Sequence, residues 1–278
     1  MVKCNCNFCK SKLIETYITK TIQVGTCESC NLKQQFSFDH IDTTFYTTNQ
    51  NLPENFVSER LRQVPWNKQR INILKKYFSN LHDKSVIDYG CGTGGFIEYS
   101  KDKFKSIIGF DLSTEACKIN SYYGIKSVSN IEDLDNTYDI VTLFHVLEHI
   151  KNPISFIENI KKQLSNVKYF IIEVPNTDEA LVSIYNNKSY TDNHYCLDHL
   201  WYFTENTLKF ILEKCNLEVV HSDQIQRYSL MNHLKWLCNK DEISFSVFNQ
   251  INNQYTKHLI NNKIADSLFM ICKVNLEN

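Results

Sequence analysis

The sequence predicts an α/β protein, a doubly wound and mainly parallel sheet with helices on both faces, preceded by a small metal-binding module. Three observations carry this reading. Short apolar strands alternate with helical stretches from Ser85 to Val174, the rhythm of parallel βαβ units. Four of the seven glycines fall within Gly90–Gly95, directly after the first of those strands. Two Cys-x2-Cys pairs stand within the first 30 residues.

Residues 1–40 form the small unit, with β character from Tyr17 to Val24 between the cysteine pairs. Residues 41–53 are polar and aromatic and read as a linker to a domain over residues 54–278. From Glu54 to Asn80 the apolar spacing is helical (Phe56, Val57, Leu61, Val64, Ile71, Leu74, Phe78), and Pro65 predicts a break into two helices. Ser85–Tyr89 is a strand, Gly94–Ser100 opens a helix, and Ser106–Phe110 is a second strand ending at Asp111. Ser113 caps a helix to about Tyr122, with Glu115 in its first turn. Strands follow at Ile125–Val128, Tyr138–Phe144 and Val167–Val174, and Pro153 starts a helix to Leu164. Residues 176–203 look irregular. Thr204 caps a helix to Cys215. Leu217–His221 and Leu268–Val274 are the last strands, around a helical insertion at 223–265.

Composition narrows the partners. Hydrophobic residues make up 42% and charged residues 22%, with a net charge of −1, so no basic excess points to nucleic acid. A small-molecule acceptor is the expectation. No apolar run is long enough to span a bilayer, and Met-Val-Lys-Cys-Asn-Cys lacks the apolar core of a signal peptide, so the expected location is cytoplasmic. In that compartment clustered cysteines read as metal ligands before disulfides. Cys6-x2-Cys9 and Cys27-x2-Cys30, with 17 residues between them, can set four thiolates in the tetrahedron of a structural zinc ribbon. Four-thiolate iron is the rarer option, and Cys4 is a spare.

The glycine loop has two readings. Glycines between a strand and a helix let the backbone turn tightly and approach a ligand closely. Gly90, Gly92 and Gly95 also satisfy G-x-G-x-x-G, so a NAD-linked oxidoreductase is the rival. Asp88 weighs against it: a carboxylate there repels a pyrophosphate but accepts hydrogen bonds from an amino group. Asp111 suits a ribose in either family.

Several segments together identify a resemblance. Val86-Ile87-Asp88-Tyr89-Gly90-Cys91-Gly92-Thr93-Gly94, Gly109-Phe110-Asp111-Leu112-Ser113, and Tyr138 to Val141 through Val146-Leu147-Glu148-His149-Ile150 and Asn152-Pro153 resemble class I methyltransferases. Glu173-Val174-Pro175-Asn176 and His199-Leu200-Trp201-Tyr202-Phe203-Thr204 resemble the branch of ubiquinone-biosynthesis O-methyltransferases and sugar or surface-glycan methyltransferases. The resemblance implies a Rossmann-like seven-stranded sheet, order 3-2-1-4-5-7-6, with the last strand antiparallel and the Glu54–Asn80 helices over the cofactor. It implies S-adenosylmethionine as cofactor. Gly90 and Gly92 would hold its methionine part and Asp88 would sit near its amino group. Asp111 would bind the ribose and Leu112 would pack on adenine. Asn130 and Ile131 stand where the family offers a polar and an apolar residue to adenine, and Leu143 and Phe144 would edge the methionine. An N-terminal zinc module ahead of such a domain also resembles methyltransferases of nucleotide-linked deoxysugars.

Methyl transfer to a hydroxyl or to a carbon beside a carbonyl needs a base, and histidine suits that role. His199 is the first choice, with His145 and His149 as alternatives; the plainer reading of His199 is an aromatic-cluster residue. His145 and His149 lie four apart but lack a placed third metal ligand. His194, with Arg227, Tyr228, Asn232 and His233, is a candidate for gripping a sugar or phosphate. Residues 224–233 resemble an insertion of some surface-glycan methyltransferases, although Asn239-Lys240-Asp241-Glu242 replaces the Pro-Gly-Gly-His stretch common there. The expected chemistry is O- or C-methylation of an activated sugar, or of a small phosphorylated or phosphoramidate-type group, in bacterial capsule or lipopolysaccharide synthesis. A non-catalytic scaffold with a partner-recruiting zinc ribbon is the further alternative.

Overall fold

The computed structural model describes residues 5–19, 21–41, 52–135, 137–238 and 246–275. Cys4, nearly all of the linker, and the Asn239–Glu242 stretch lie outside the described residues.

The N-terminal unit is built on two matching turns. The Lys10 N–H donates to the Cys6 carbonyl at 2.9 Å, and the Asn31 N–H to the Cys27 carbonyl at 3.0 Å. Lys10 (φ 66°) and Asn31 (φ 56°) take left-handed backbone one residue after each pair's second cysteine. Strands β1 (Leu13–Ile18), β2 (Gln23–Cys27) and β3 (Lys33–Gln35) then form an antiparallel meander. A fourth strand, β9 (Trp201–Tyr202), pairs antiparallel with β3 from far along the chain, as Lys33 faces Tyr202 and Gln34 faces Trp201. The sheet of the N-terminal unit thus takes its edge strand from residues 201–202.

Helix α1 (Phe56–Tyr77) runs unbroken through Pro65, against the expected split. Proline in a helix interior removes one hydrogen bond, at a cost of about 3 kcal/mol. Packing on both sides of it offsets that cost: Phe56 and Arg60 before it, and Trp66, Asn67, Arg70, Ile71 and Leu74 after it, are buried.

The main sheet follows. Strands β4 (Ser85–Tyr89), β5 (Ser106–Phe110), β6 (Ser127–Val128), β7 (Ile140–Phe144) and β8 (Tyr169–Pro175) are parallel. Helices α2 (Gly95–Ser100), α3 (Thr114–Tyr122) and α4 (Pro153–Gln163) connect them, the last two capped by Ser113 and Asn152. Residues 176–203, expected to be irregular, contain α5 (Ala180–Ser183) and α6 (Lys188–His194) besides β9. Helix α7 (Glu205–Lys214) has the expected Thr204 cap. Strand β10 runs from Leu217 to Ile225, longer than expected, because β11 (Ser267–Val274) pairs along its length. The insertion's helices, α8 (Leu230–Cys238) and α9 (Ser246–Asn261), begin after it.

The spatial order is β6-β5-β4-β7-β8-β11-β10, with β11 antiparallel to both neighbours. Numbered along the main sheet, this is the 3-2-1-4-5-7-6 order the resemblance implies. The order reverses between β4 and β7, and the crevice beyond the carboxyl ends of strands at such a point is where open α/β sheets bind ligands.

Candidate active site

The glycine loop is clamped to the end of β5. The Gly90 and Cys91 N–H groups donate to the Phe110 carbonyl at 2.7 and 3.1 Å. The Gly92 N–H donates to Asp111 Oδ2 at 2.7 Å, and the Ser113 N–H to Asp111 Oδ1 at 2.9 Å. Arg60 Nε donates to the Thr93 carbonyl at 2.6 Å, and Asn120 Nδ2 to the Gly92 carbonyl at 2.9 Å. Gly90 sits at φ +80°, where an added Cβ would meet Val146 Cγ2 at 2.5 Å. Gly92, at φ +50°, differs: a Cβ there would enter open space. The loop therefore offers bare backbone to a ligand.

Two cavities, of about 450 and 320 Å³, share Gly90, Gly92 and His145 in their walls. Asp88, Phe96, Phe144, and Arg70 and Trp66 of α1 line the first, with Arg227. Asp111, Leu112, Ser113, Val146, His149 and Asp198 line the second. Leu112 is 52% exposed, an apolar face beside a carboxylate.

Asp88 is buried, and its Oδ1 accepts from Thr142 Oγ1 at 2.6 Å. Burial pushes its carboxyl up to about 6, opposed by the Thr142 hydrogen bond and the Arg70 charge. Such a carboxylate is short of positive charge, and an ammonium group in the first cavity would supply it. The residues thus fit the methionine end of S-adenosylmethionine at Asp88 and the glycines, and its adenosine end at Asp111 and Leu112.

A chain of polar contacts runs beside the first cavity, and Arg70, Glu148 and Glu173 in it are buried. Arg70 grips Glu173 through Nε (2.6 Å) and Nη2 (3.1 Å), and its guanidinium lies 4.1 Å from the Phe144 ring centroid. His145, in left-handed backbone at φ 57°, places Nε2 3.0 Å from Glu173 Oε1 and Nδ1 3.2 Å from Glu148 Oε1. Non-glycine residues seldom adopt that backbone, though histidine does so more than most. Burial alone would raise both carboxyls. The Arg70 charge and the His145 contact hold Glu173 far below its ordinary value, and the His145 hydrogen bond with the nearby histidines holds Glu148 at about 2.

The predicted site residues divide. Asp88, Gly90, Gly92, Asp111, Leu112, Phe144, His145, His149 and Arg227 line the two cavities. Leu143 does not; it is fully buried in the core. Asn130 instead caps the short turn Ile131–Asp133, accepting from the Glu132 N–H at 3.2 Å, and Ile131 packs against the core. His199 stands behind the cavity wall, its ring 4.9 Å from that of His149, and burial lowers it to about 4. His194 is buried and lowered to about 3. His233 is occupied between Tyr255 OH (2.8 Å) and Gln226 Nε2 (3.2 Å). Neither Tyr228 nor Asn232 lines these cavities. The Tyr228 N–H donates to Asp266, as does the N–H of Arg227, whose side chain also faces that carboxylate.

Sequence reasoning assigned no role to Arg70, Glu173, Thr142, Arg60 or Asn120. Glu173 did leave a signal, a carboxylate inside an otherwise apolar strand. In the N-terminal unit the cysteine sulfurs converge: Cys6–Cys30 is 3.8 Å, Cys9–Cys27 is 3.3 Å and Cys9–Cys30 is 3.7 Å. A tetrahedron with metal–sulfur bonds of 2.3 Å has edges of about 3.8 Å, so the cluster is compatible with a zinc site.

A family described as a methyltransferase domain matches residues 52–222, more than half of the chain, and the chain belongs to it. An uncharacterized protein of Methanocaldococcus jannaschii is 35% identical over 116 residues, 41% of this chain and 50% of that protein. The ubiquinone biosynthesis O-methyltransferase of Nitrosomonas europaea is 30% identical over 104 residues, 34% of this chain and 44% of the enzyme. The chain thus spans about half the length of the curated relatives it matches. The plantazolicin methyltransferase BamL, solved in complex with a triazolic desmethylPZN analog and SAH, superposes with a TM-score of 0.51 at 18% identity, covering 79% of this chain and 86% of that one, which shows the common fold.

Proposed function

We propose that the chain transfers a methyl group from S-adenosylmethionine to a hydroxyl or carbon of a small acceptor. The acceptor class is an activated sugar, or a small phosphorylated or phosphoramidate-type group, made in the cytoplasm for a bacterial surface glycan. The observation that carries the reading is the buried Asp88 carboxyl at about 6 beside the bare Gly90–Gly92 backbone, with Asp111 across the second cavity. A carboxylate so placed suits an ammonium and opposes a pyrophosphate, which disfavours a nicotinamide cofactor.

S-adenosylmethionine supplies an already activated methyl on a sulfonium. The protein aligns the acceptor with it and excludes water. Asp88 orients the amino end, Asp111 the ribose, and Phe144 walls the first cavity. His145 is held on both ring nitrogens by Glu148 and Glu173, which makes it a positioning residue rather than a base. His149 lines the second cavity where the acceptor would sit, and His199 packs against it without lining either cavity. Arg227 at the first cavity suits a phosphate. Cys6, Cys9, Cys27 and Cys30 hold one structural zinc.

Calorimetry with S-adenosylhomocysteine and NAD tests the cofactor, and turnover over a panel of nucleotide sugars tests the acceptor. Binding of NAD with none of S-adenosylhomocysteine would sink the reading.

A further inference from the structure

We propose that Glu148, His149 and His199 form a second metal site, for a divalent cation of the zinc class, at the wall of the second cavity. One ligand atom from each of the three lies within 4.8 Å of the other two. The loop after β7 supplies two of them, and the segment before β9 supplies the third.

Two atoms in this cluster lack the partner that burial demands. Glu148 is fully buried, and its Oε2 has no hydrogen-bond partner; His199 Nδ1 is likewise buried and unpartnered. Buried polar atoms without partners are costly and call for an explanation such as a missing ion. His149 donates through Nδ1 to the Asp198 carbonyl at 2.8 Å. Its other ring nitrogen, Nε2, lies 3.9 Å from Glu148 Oε1. The outer contacts match those of metal sites, where a ligating ring gives its other N–H to a carbonyl and a ligating carboxylate is itself hydrogen-bonded. Glu148 Oε1 has His145, which Glu173 holds, and Arg70 in turn grips Glu173.

Two imidazoles and one carboxylate select zinc-class or ferrous ions over magnesium or calcium. Three protein ligands leave a coordination position open, the pattern of catalytic rather than structural zinc. His149 lines the second cavity, so the open position suits an acceptor bearing an oxygen ligand. Cys196 and Asp198 form an alternative grouping with His199. The first is favoured because its own carboxylate holds the unpartnered oxygen.

Native mass spectrometry of the full chain after Zn2+ incubation and gel filtration counts the ions. Two per chain are expected for the natural sequence, one for Cys27→Ser/Cys30→Ser and one for His149→Ala/His199→Ala. A single ion that the cysteine pair abolishes, or a second ion retained in both the histidine variant and Glu148→Gln, overturns the proposal. If the double histidine variant fails to fold, Glu148→Gln and His199→Gln should each weaken the second ion about tenfold or more in competition with a chelator. Unchanged affinity in both also overturns it. Calorimetry with S-adenosylhomocysteine on the same samples keeps the two readings apart. Cofactor binding with one zinc removes the cation alone, and two zincs without cofactor binding remove the methyl-transfer reading alone.

Discussion

Lowering the pH from 7 to 5 should weaken cofactor binding about tenfold, and Asp88 should be the reason. Its carboxyl ionises near 3.8 in an unfolded chain and near 6 in the fold. The raised value means that the folded protein holds the extra proton. Its contribution to stability is therefore complete below 3.8 and lost as pH rises through about 6. At neutral pH the ionised group is a liability of about 3 kcal/mol in the folded state, at about 1.4 kcal/mol per pH unit. An ammonium beside it relieves that liability, so binding expels the proton wherever the free protein carries one. At pH 5 about nine in ten free molecules carry it, and at pH 7 about one in ten, which sets the tenfold ratio. Calorimetric titration of S-adenosylhomocysteine at pH 5, 6 and 7, in buffers of different ionisation enthalpy, reads both affinity and proton release. Glu179, pushed to about 7 by burial, also titrates in this window, and Asp88→Asn separates the two. That variant should bind about tenfold or more weakly at pH 7, as expected for loss of a charged hydrogen bond, and flatten the profile. A flat profile in the natural protein, or the same slope in Asp88→Asn, would refute the assignment.

The two loop glycines should separate stability from binding. Gly90→Ala, with its Cβ driven against Val146, should lose about 2 kcal/mol or more in thermal unfolding. Gly92→Ala meets no protein atom and should cost about 1 kcal/mol, while S-adenosylhomocysteine affinity falls steeply. Arg70→Ala leaves buried Glu173 with the His145 contact alone, so urea unfolding should show a loss of about 3 kcal/mol. The double change Arg70→Met/Glu173→Leu should recover part of it. Stripping metal from the four-cysteine cluster should speed hydrogen exchange at Trp201 and Tyr202 as well as in β2 and β3, because β9 hangs on β3.

Much of this fold was legible because its signals are local. The strand before Gly90, the Ser113, Pro153 and Thr204 positions at helix starts, and the paired cysteines each sit within a few residues of what they specify. Pro65 misled for the same reason: its local cost was visible, whereas the burial of Trp66 and Arg70 against distant elements was not. In the candidate site, Asp88, Asp111 and the glycines were legible from spacing. The Arg70–Glu173–His145–Glu148 chain was not, since it joins α1, β8 and the turn after β7. Nor could the sequence show that His145 turns both nitrogens to carboxylates, because that follows from its left-handed backbone. The His145/His149 spacing did not point to the proposed cluster, because His145 turns to Glu148 and Glu173 and His199 comes from 50 positions beyond His149.

The strand that β9 lends to the N-terminal sheet bears on how such a protein is inherited. Gln35 of β3 donates through Nε2 to the carbonyls of Cys196, Leu197 and His199, so the borrowed edge and the stretch before it are fastened by the receiving unit. The natural seam between the two halves therefore lies inside the methyltransferase-family domain rather than in the linker. A recombination event that exchanged residues 1–40 alone would deliver a sheet without its edge and a histidine segment without its anchor. Lineages that gain or swap this unit should change residues 196–203 in the same step, and a chimera joined at the linker should fail where one that also carries 196–203 succeeds.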